Sequence, residues 1–265
     1  MKNQMQCLAM HVGRWEGVFT DFSPDAKFLG QKESVILFEE PEPNMIRQTN
    51  RYPGCEDKVW EYRDLSRSLQ FFEDGSFSNG RVQLAPFSAF ATEQGFLHGD
   101  YKTRMVHLFD TEGKASAITT IQEVRGTYQE LPSVHNPLEN FLGIWRGEAL
   151  VLFPDWPEPE KFESELILEK DGMQVHRQSK IGMDTVDWSG TDEDGSVNFD
   201  RYRMVFYPGN LLAMSPWQLP LFCSDKSFFI EIGWFIEPKI CLRMIRHYDL
   251  KGAWQKTVLI REQKL

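Results

Sequence analysis

Four polar residues, paired by position, are the strongest candidates for chemistry in this chain. Arg47 and Arg177 open an identical dipeptide, Arg47-Gln48 and Arg177-Gln178, 130 residues apart. An arginine aimed into a pocket presents a planar fork of donors that suits a ligand carboxylate. Successive residues of a strand face opposite ways, so only one member of each dipeptide can face such a pocket. The alternative is an arginine that sits outside or pairs with an acid of the core. His107 and Arg246 match at a separation of 139 residues. They share strand parity with Met105 and Phe109 in one half and with Met244 and Tyr248 in the other. If those apolar residues line an interior, His107 and Arg246 point inward and could orient a ligand there. Otherwise they lie on strand ends that emerge into solvent. Trp234 belongs to a strand face formed by Phe228, Ile230, Ile232, Trp234 and Ile236, and could stack on a ligand or pack as core.

No motif names a reaction. The chain has no glycine-rich phosphate loop, no GxSxG elbow and no HExxH. Its six histidines show no metal-ligand spacing, so neither a metal nor a cofactor is expected. Cys7, Cys55, Cys223 and Cys241 are scattered without a CxxC and read as reduced thiols of a cytoplasmic protein. No catalytic residue is nominated; an enzyme would have to draw on Cys55, Cys223, His107 or Arg246.

The elements that must position these residues repeat. VGRWEG (12–17) returns as LGIWRG (142–147), and without a gap residues 13–49 lie over 143–179 with ten of 37 positions identical. RMVHLFDTEGKA (104–115) lies over RMIRHYDLKGAW (243–254) at the larger offset of 139. The change of offset predicts insertions in the second half between about 180 and 225. The boundary falls near Leu131–Asn136, giving halves of 1–131 and 132–265. Hydrophobicity alternates with a period of two, as in Ile240, Leu242 and Met244 against Lys239, Cys241 and Arg243. Such runs recur every 8–12 residues between turn signals, the pattern of an all-β sandwich or barrel. Helix is confined to short turns at 3–11 and 137–142, before each Gly-x-Trp.

Composition excludes more than it assigns. The 265 residues are 41% hydrophobic and 26% charged, an ordinary globular balance. The net charge of −10 divides evenly, with 14 basic against 19 acidic residues in 1–131 and 15 against 20 in 132–265. That argues against nucleic acid, which calls for a basic face. No apolar run is long enough to span a membrane, and the N-terminus lacks a signal-peptide core. The loops FSPD (22–25) and FPDWPEPE (153–160) each follow the first strand of a half and are expected to lie over a barrel mouth.

A helical turn, then Gly13-Arg14-Trp15 or Gly143-Ile144-Trp145 opening a meander of strands, resembles the lipocalin-like, or calycin, barrels. The whole chain is similar to a cyanobacterial and plastid family of tandem lipocalin-like proteins of unknown function. The resemblance implies two tandem antiparallel barrels from an internal duplication. It also implies that Gly13, Trp15, Gly143 and Trp145 close the barrel ends, and that a late basic residue, Arg125 or Arg261, covers each tryptophan. Single-domain relatives include S-type bilin lyases.

Three functions follow as expectations. The first is non-enzymatic binding of a small, mostly apolar ligand (tetrapyrrole, pigment or lipid) by Arg47, His107, Arg177, Trp234 and Arg246. The second is a chromophore lyase or isomerase using a barrel pocket. The third is a structural or assembly factor with filled barrels.

Overall fold

The alternating residues fold as strands throughout. The computed structural model describes residues 2–129, 137–220 and 227–265. In the first half α1 (Gln4–Ala9) precedes β1 (Gly13–Phe22), β2 (Phe28–Glu42), β3 (Met45–Arg51), β4 (Lys58–Tyr62), β5 (Leu69–Phe71), β6 (Phe77–Gly80), β7 (Phe90–His98), β8 (Tyr101–Phe109) and β9 (Ala115–Arg125). In the second half α2 (Pro137–Phe141) precedes β10 (Gly143–Phe153), β11 (Trp156–Asp171), β12 (Gln174–Ile181), β13 (Asp184–Glu193) and β14 (Ser196–Phe199). Next come β15 (Tyr202–Tyr207), β16 (Leu211–Pro216), β17 (Phe228–Glu237), β18 (Ile240–Tyr248) and β19 (Trp254–Lys264). Asn3 starts α1 through a capping box: its side chain accepts from Gln6 N while the Gln6 side chain accepts from Asn3 N. Pro137 occupies the first turn of α2, where its missing N–H is harmless.

The second half is a closed barrel of β10 to β19 in chain order. The first half is a curled nine-stranded sheet, ordered β4-β3-β2-β1-β9-β8-β7-β6-β5, whose edges are β4 and β5. The expected all-β tandem is therefore present, with one barrel closed and one open along a seam. The insertion expected between 180 and 225 has a structural meaning. Four strands, β13 to β16, stand where the first half has only β4 to β6, and the ring closes.

The chain divides into two compact units. One is Met1–Val82, Ala91–Leu108 and Ser116–Leu131; the other is Gln83–Phe90, Phe109–Ala115 and Pro132–Leu265. Within the second, Leu84 N donates to Gly252 O at 2.8 Å and Ala115 N to Trp217 O at 3.0 Å. The segment 131–136 and Cys223 lie outside the described residues.

Both Gly-x-Trp motifs make the same contacts. Trp15 and Trp145 are fully buried, and each indole Nε1 donates to a carbonyl at the end of the preceding helix, His11 O at 2.7 Å and Phe141 O at 2.8 Å. Gly13 (φ +136°) and Gly143 (φ +118°) hold backbone angles that favour glycine. Gly17 and Gly147 are required for a different reason. A Cβ there would stand 2.2 Å from Gln122 O or 1.8 Å from Arg261 O on the neighbouring strand.

The basic cover needs one correction. Arg125 lies over Trp15, its guanidinium carbon 4.6 Å from the ring, but Trp145 is covered by Lys264, 5.7 Å away, and not by Arg261. Strand register decides this: Trp15 pairs with Arg125 and Trp145 with Lys264. Arg261, three residues earlier, faces the opposite side and is exposed. Both covering residues also bind the helix end. Arg125 Nη2 donates to Met10 O at 3.1 Å, and Lys264 Nζ donates to Asn140 O at 2.8 Å.

The segment 153–160 differs from expectation as well. Most of it is strand, because Trp156 pairs with Phe153 and Glu160 with Val151 at the start of β11.

Candidate ligand-binding site

The second barrel is filled in layers along its axis. At one end, Trp145 packs with Leu166, Leu168, Val175, Met204, Met214, Phe235 and Cys241. Next comes a fully buried ionic layer drawn from four strands. Arg177 (β12) places Nη2 2.8 Å from both oxygens of Glu231 (β17). Arg243 (β18) donates through Nη1 to Glu231 at 2.9 Å, and through Nε and Nη2 to Glu262 (β19) at 2.8 and 2.9 Å. Ser164 adds a bond to Glu262 at 2.6 Å. Two cations meet two anions, so the layer is neutral.

Its electrostatics follow from mutual pairing. Burial opposes ionisation of Glu231, but Arg177 and Arg243 outweigh it and hold the carboxyl below its usual range. Burial likewise weighs on Arg243, and Glu262 and Glu231 more than compensate, raising it. For Arg177 burial dominates and the shift is downward.

Beyond this floor the barrel is hollow. The cavity is about 610 Å³ and is lined by Ile181, Trp188, Tyr202, Phe229, Ile245 and Val258, among others. Tyr202 and Phe229 stack at 4.4 Å, with Trp188 5.9 Å from Phe229 and 5.0 Å from the Arg177 guanidinium. Met183, Asp184, Asp200, Arg201 and Lys256 also line it, with Met183 95% exposed at the hairpin tip. His247 lines the wall; burial, then Lys256, pushes its pKa down to about 4, so it is neutral near pH 7.

The first half repeats the plan with other residues. Arg104 donates to Glu123 at 2.9 Å and to Glu93 at 2.6 Å, and Lys102 joins Glu123 at 3.2 Å. Lys102 also lies 4.4 Å over Trp15, and burial lowers its pKa to about 8. The cavity beside it is about 420 Å³ and more polar, with Gln48, Asn50, Tyr52, Trp60, Tyr62 and Glu93 in its wall.

Of the five ligand-site candidates, Arg177 alone lines either cavity. Arg47 is half exposed and pairs with Glu61 at 2.8 Å. The two arginines separate because β2 and β3 slip register between Glu39 and Glu42, placing Phe38 opposite Gln48, whereas Leu168 lies opposite Arg177. One extra residue reverses every following side chain, so the true counterpart of Arg177 is Gln48. His107, Arg246 and Trp234 are buried, but on the strand faces opposite the cavities. Lys102, Arg104 and Val106 of β8, and Ile245 and His247 of β18, are the residues that face in. Met105, Phe109, Met244 and Tyr248 are buried but line neither cavity. Arg246 instead donates to Tyr248 OH at 2.8 Å and lies 3.7 Å over Trp254. Neither ring nitrogen of His107 has a hydrogen-bond partner.

The ionic layers escaped the sequence reading, although a signal existed. Arg104 and Arg243 begin the segments matched at 139 residues, and the same offset sets Glu123 on Glu262. Glu93-Gln94-Gly95 and Glu231-Ile232-Gly233 supply the third member of each. Cys55 is exposed and Cys241 is buried, which raises its thiol pKa well above the usual value. Among the described residues no cluster of side chains could hold a metal, and no helix is long and apolar enough to cross a membrane.

Comparison with known proteins fixes the relationship. Residues 1–128 match the N-terminal domain of unknown function DUF3598. A crystal structure of a DUF3598 protein of unknown function from Nostoc punctiforme PCC 73102, a cyanobacterium, is 31% identical, and each chain covers 100% of the other with a TM-score of 0.93. The chain belongs to the DUF3598 family.

Residues 133–265 of this DUF3598 chain match a second family description, "Biogenesis factor required for ATP synthase 1, C-terminal domain". A further solved structure, from Bacteroides fragilis NCTC 9343, is 13% identical with a TM-score of 0.30, over 99% of this chain and 100% of that one, and supports no argument. No curated protein matches the DUF3598 chain.

Proposed function

We propose that this DUF3598 protein is a non-enzymatic binding protein whose second barrel takes a small, mostly apolar ligand. The observation that carries this is the cavity above the Arg177–Glu231 floor. Its volume, about 610 Å³, lies within the several hundred Å³ usual for ligand sites, and its wall sets an aromatic and aliphatic group, Ile181, Trp188, Tyr202, Phe229, Ile245 and Val258, beside charged and polar side chains. Arg177 is the site residue of this reading. The repeated arrangement, a tryptophan under a basic residue, supports a lipocalin-like origin for the halves 1–131 and 132–265. Free Cys7, Cys55 and Cys241 support the cytoplasmic setting.

The test is native mass spectrometry after incubation with pigment and lipid extracts, beside the variant Val186→Trp, which fills the cavity from its wall. A bound mass that the variant loses supports the reading. Absence of any bound mass and of any thermal shift overturns it.

A second reading rests on the description matched by residues 133–265: the chain is an assembly factor that acts through its surfaces. Co-isolation with ATP synthase subunits that survives Val186→Trp would favour it.

A further inference from the structure

We propose that the second cavity is selective for charge: it admits molecules whose inserted end is uncharged, flat and conjugated, and it rejects a carboxylate. The proposal rests on the binding reading above and specifies its ligand class.

The argument is a charge balance at the floor. Arg177, Glu231, Arg243 and Glu262 are each at most 1% exposed, and the two positive charges are matched by the two negative ones. Both oxygens of Glu231 are taken by Arg177, and Arg243 spans Glu231 and Glu262. An inserted carboxylate would therefore bring an unmatched charge against a buried layer whose charges are already balanced, where a further ion has no partner to offset its desolvation. The arginine that an anion would seek is already neutralised. His247 supplies no positive charge near neutral pH, because burial holds it unprotonated. The apolar part of the wall includes Ile181, Trp188, Tyr202, Phe229, Ile245 and Val258, and its rings favour a flat apolar body. Charged groups of both signs, Asp184, Asp200, Arg201 and Lys256, are available for ionic parts of a ligand that stay outside the apolar wall.

A matched pair of probes tests this in the full chain: 2-acetylnaphthalene and 2-naphthoate at pH 7.5, read by tryptophan fluorescence and calorimetry. The ketone is expected to bind at least roughly tenfold more tightly, equivalent to about 1.4 kcal/mol. Val186→Trp should remove that binding. In Glu231→Gln the floor keeps both arginines and loses one anion, so 2-naphthoate should gain affinity relative to the ketone. The wild-type comparison decides the matter even if this variant does not fold. Carboxylate binding equal to or tighter than the ketone's overturns the charge rule and leaves the binding reading standing. Binding of neither probe also overturns this inference, while the extract experiment decides the binding reading separately.

Discussion

Arg177 holds both carboxylate oxygens of Glu231 through one nitrogen, Nη2, at 2.8 Å, and neither side chain is more than 1% exposed. The pair belongs to a neutral layer, so its members should be more replaceable together than singly. Arg177→Met leaves the layer with an excess negative charge and should destabilise the protein by about 3–5 kcal/mol, the usual effect of orphaning a buried charge. Arg177→Met with Glu231→Leu leaves Arg243 and Glu262 matched, and should lose less than the sum of the single changes. Urea unfolding of the three variants measures this, and strict additivity would refute the coupling.

Gly17 and Gly147 should be intolerant of a single methyl group. Their Cβ positions fall on the main chain of the adjacent strand, at 2.2 and 1.8 Å, which rotation of a side chain cannot relieve. Overpacking of this kind costs about 1–3 kcal/mol or more. Gly30→Ala, with nothing within 4 Å of the new atom, serves as control and should be near neutral in thermal melts.

The basic covers of the two tryptophans should be equivalent in role. Arg125→Ala and Lys264→Ala each remove a cation over an indole, about 0.5–1 kcal/mol, and a bond to the carbonyl end of the helix, about 1 kcal/mol. Arg261→Ala, which covers nothing, should leave the denaturation midpoint in place.

Acid should destabilise the fold from about pH 6.5 downward. Burial lowers the pKa of His11 to about 3, of His107 to about 3 and of His247 to about 4. The unfolded chain binds these protons near 6.5 and the folded chain does not. Stability is therefore whole above 6.5 and falls as pH drops toward the folded values, by up to about 1.4 kcal/mol per pH unit for each histidine. His107→Leu should shrink that slope and leave stability at pH 7 equal or higher, since neither ring nitrogen has a partner to lose. His11→Leu should shrink the slope but lower stability, because His11 Nε2 is bonded to Gly75 O at 2.9 Å. Denaturation midpoints from pH 4 to 8 separate the two.

The duplication, the two helical turns, the strand-rich halves and the added length in the second half were all legible from residue types and spacing. Faces were not. Arg47 and Arg177 match in an ungapped alignment, yet the slip between Glu39 and Glu42 turns one out and the other in, and composition does not mark such a slip. The parity rule for β8 and β18 misled for a different reason. Their outward faces are as buried as their inward ones, so apolar residues occur on both and do not mark the cavity side. The ionic layer was hidden because its members lie on separate strands: Glu231, Arg243 and Glu262 follow one another on β17, β18 and β19, while Arg177 reaches Glu231 from β12, 54 residues earlier.

The seam of the first half gives the two repeats different mechanical characters. A ring of ten strands offers no end from which to peel, so the second barrel must break a complete ladder to open. The nine-stranded sheet has two ends, and the connection 63–68 runs between them without belonging to either ladder. A protease cut there severs no strand pairing, and amide protons at β4 and β5 should exchange ahead of all others in the sheet. The first repeat is thus a cup with two free strand edges and the second an unbroken ring, although both follow one pattern of residues.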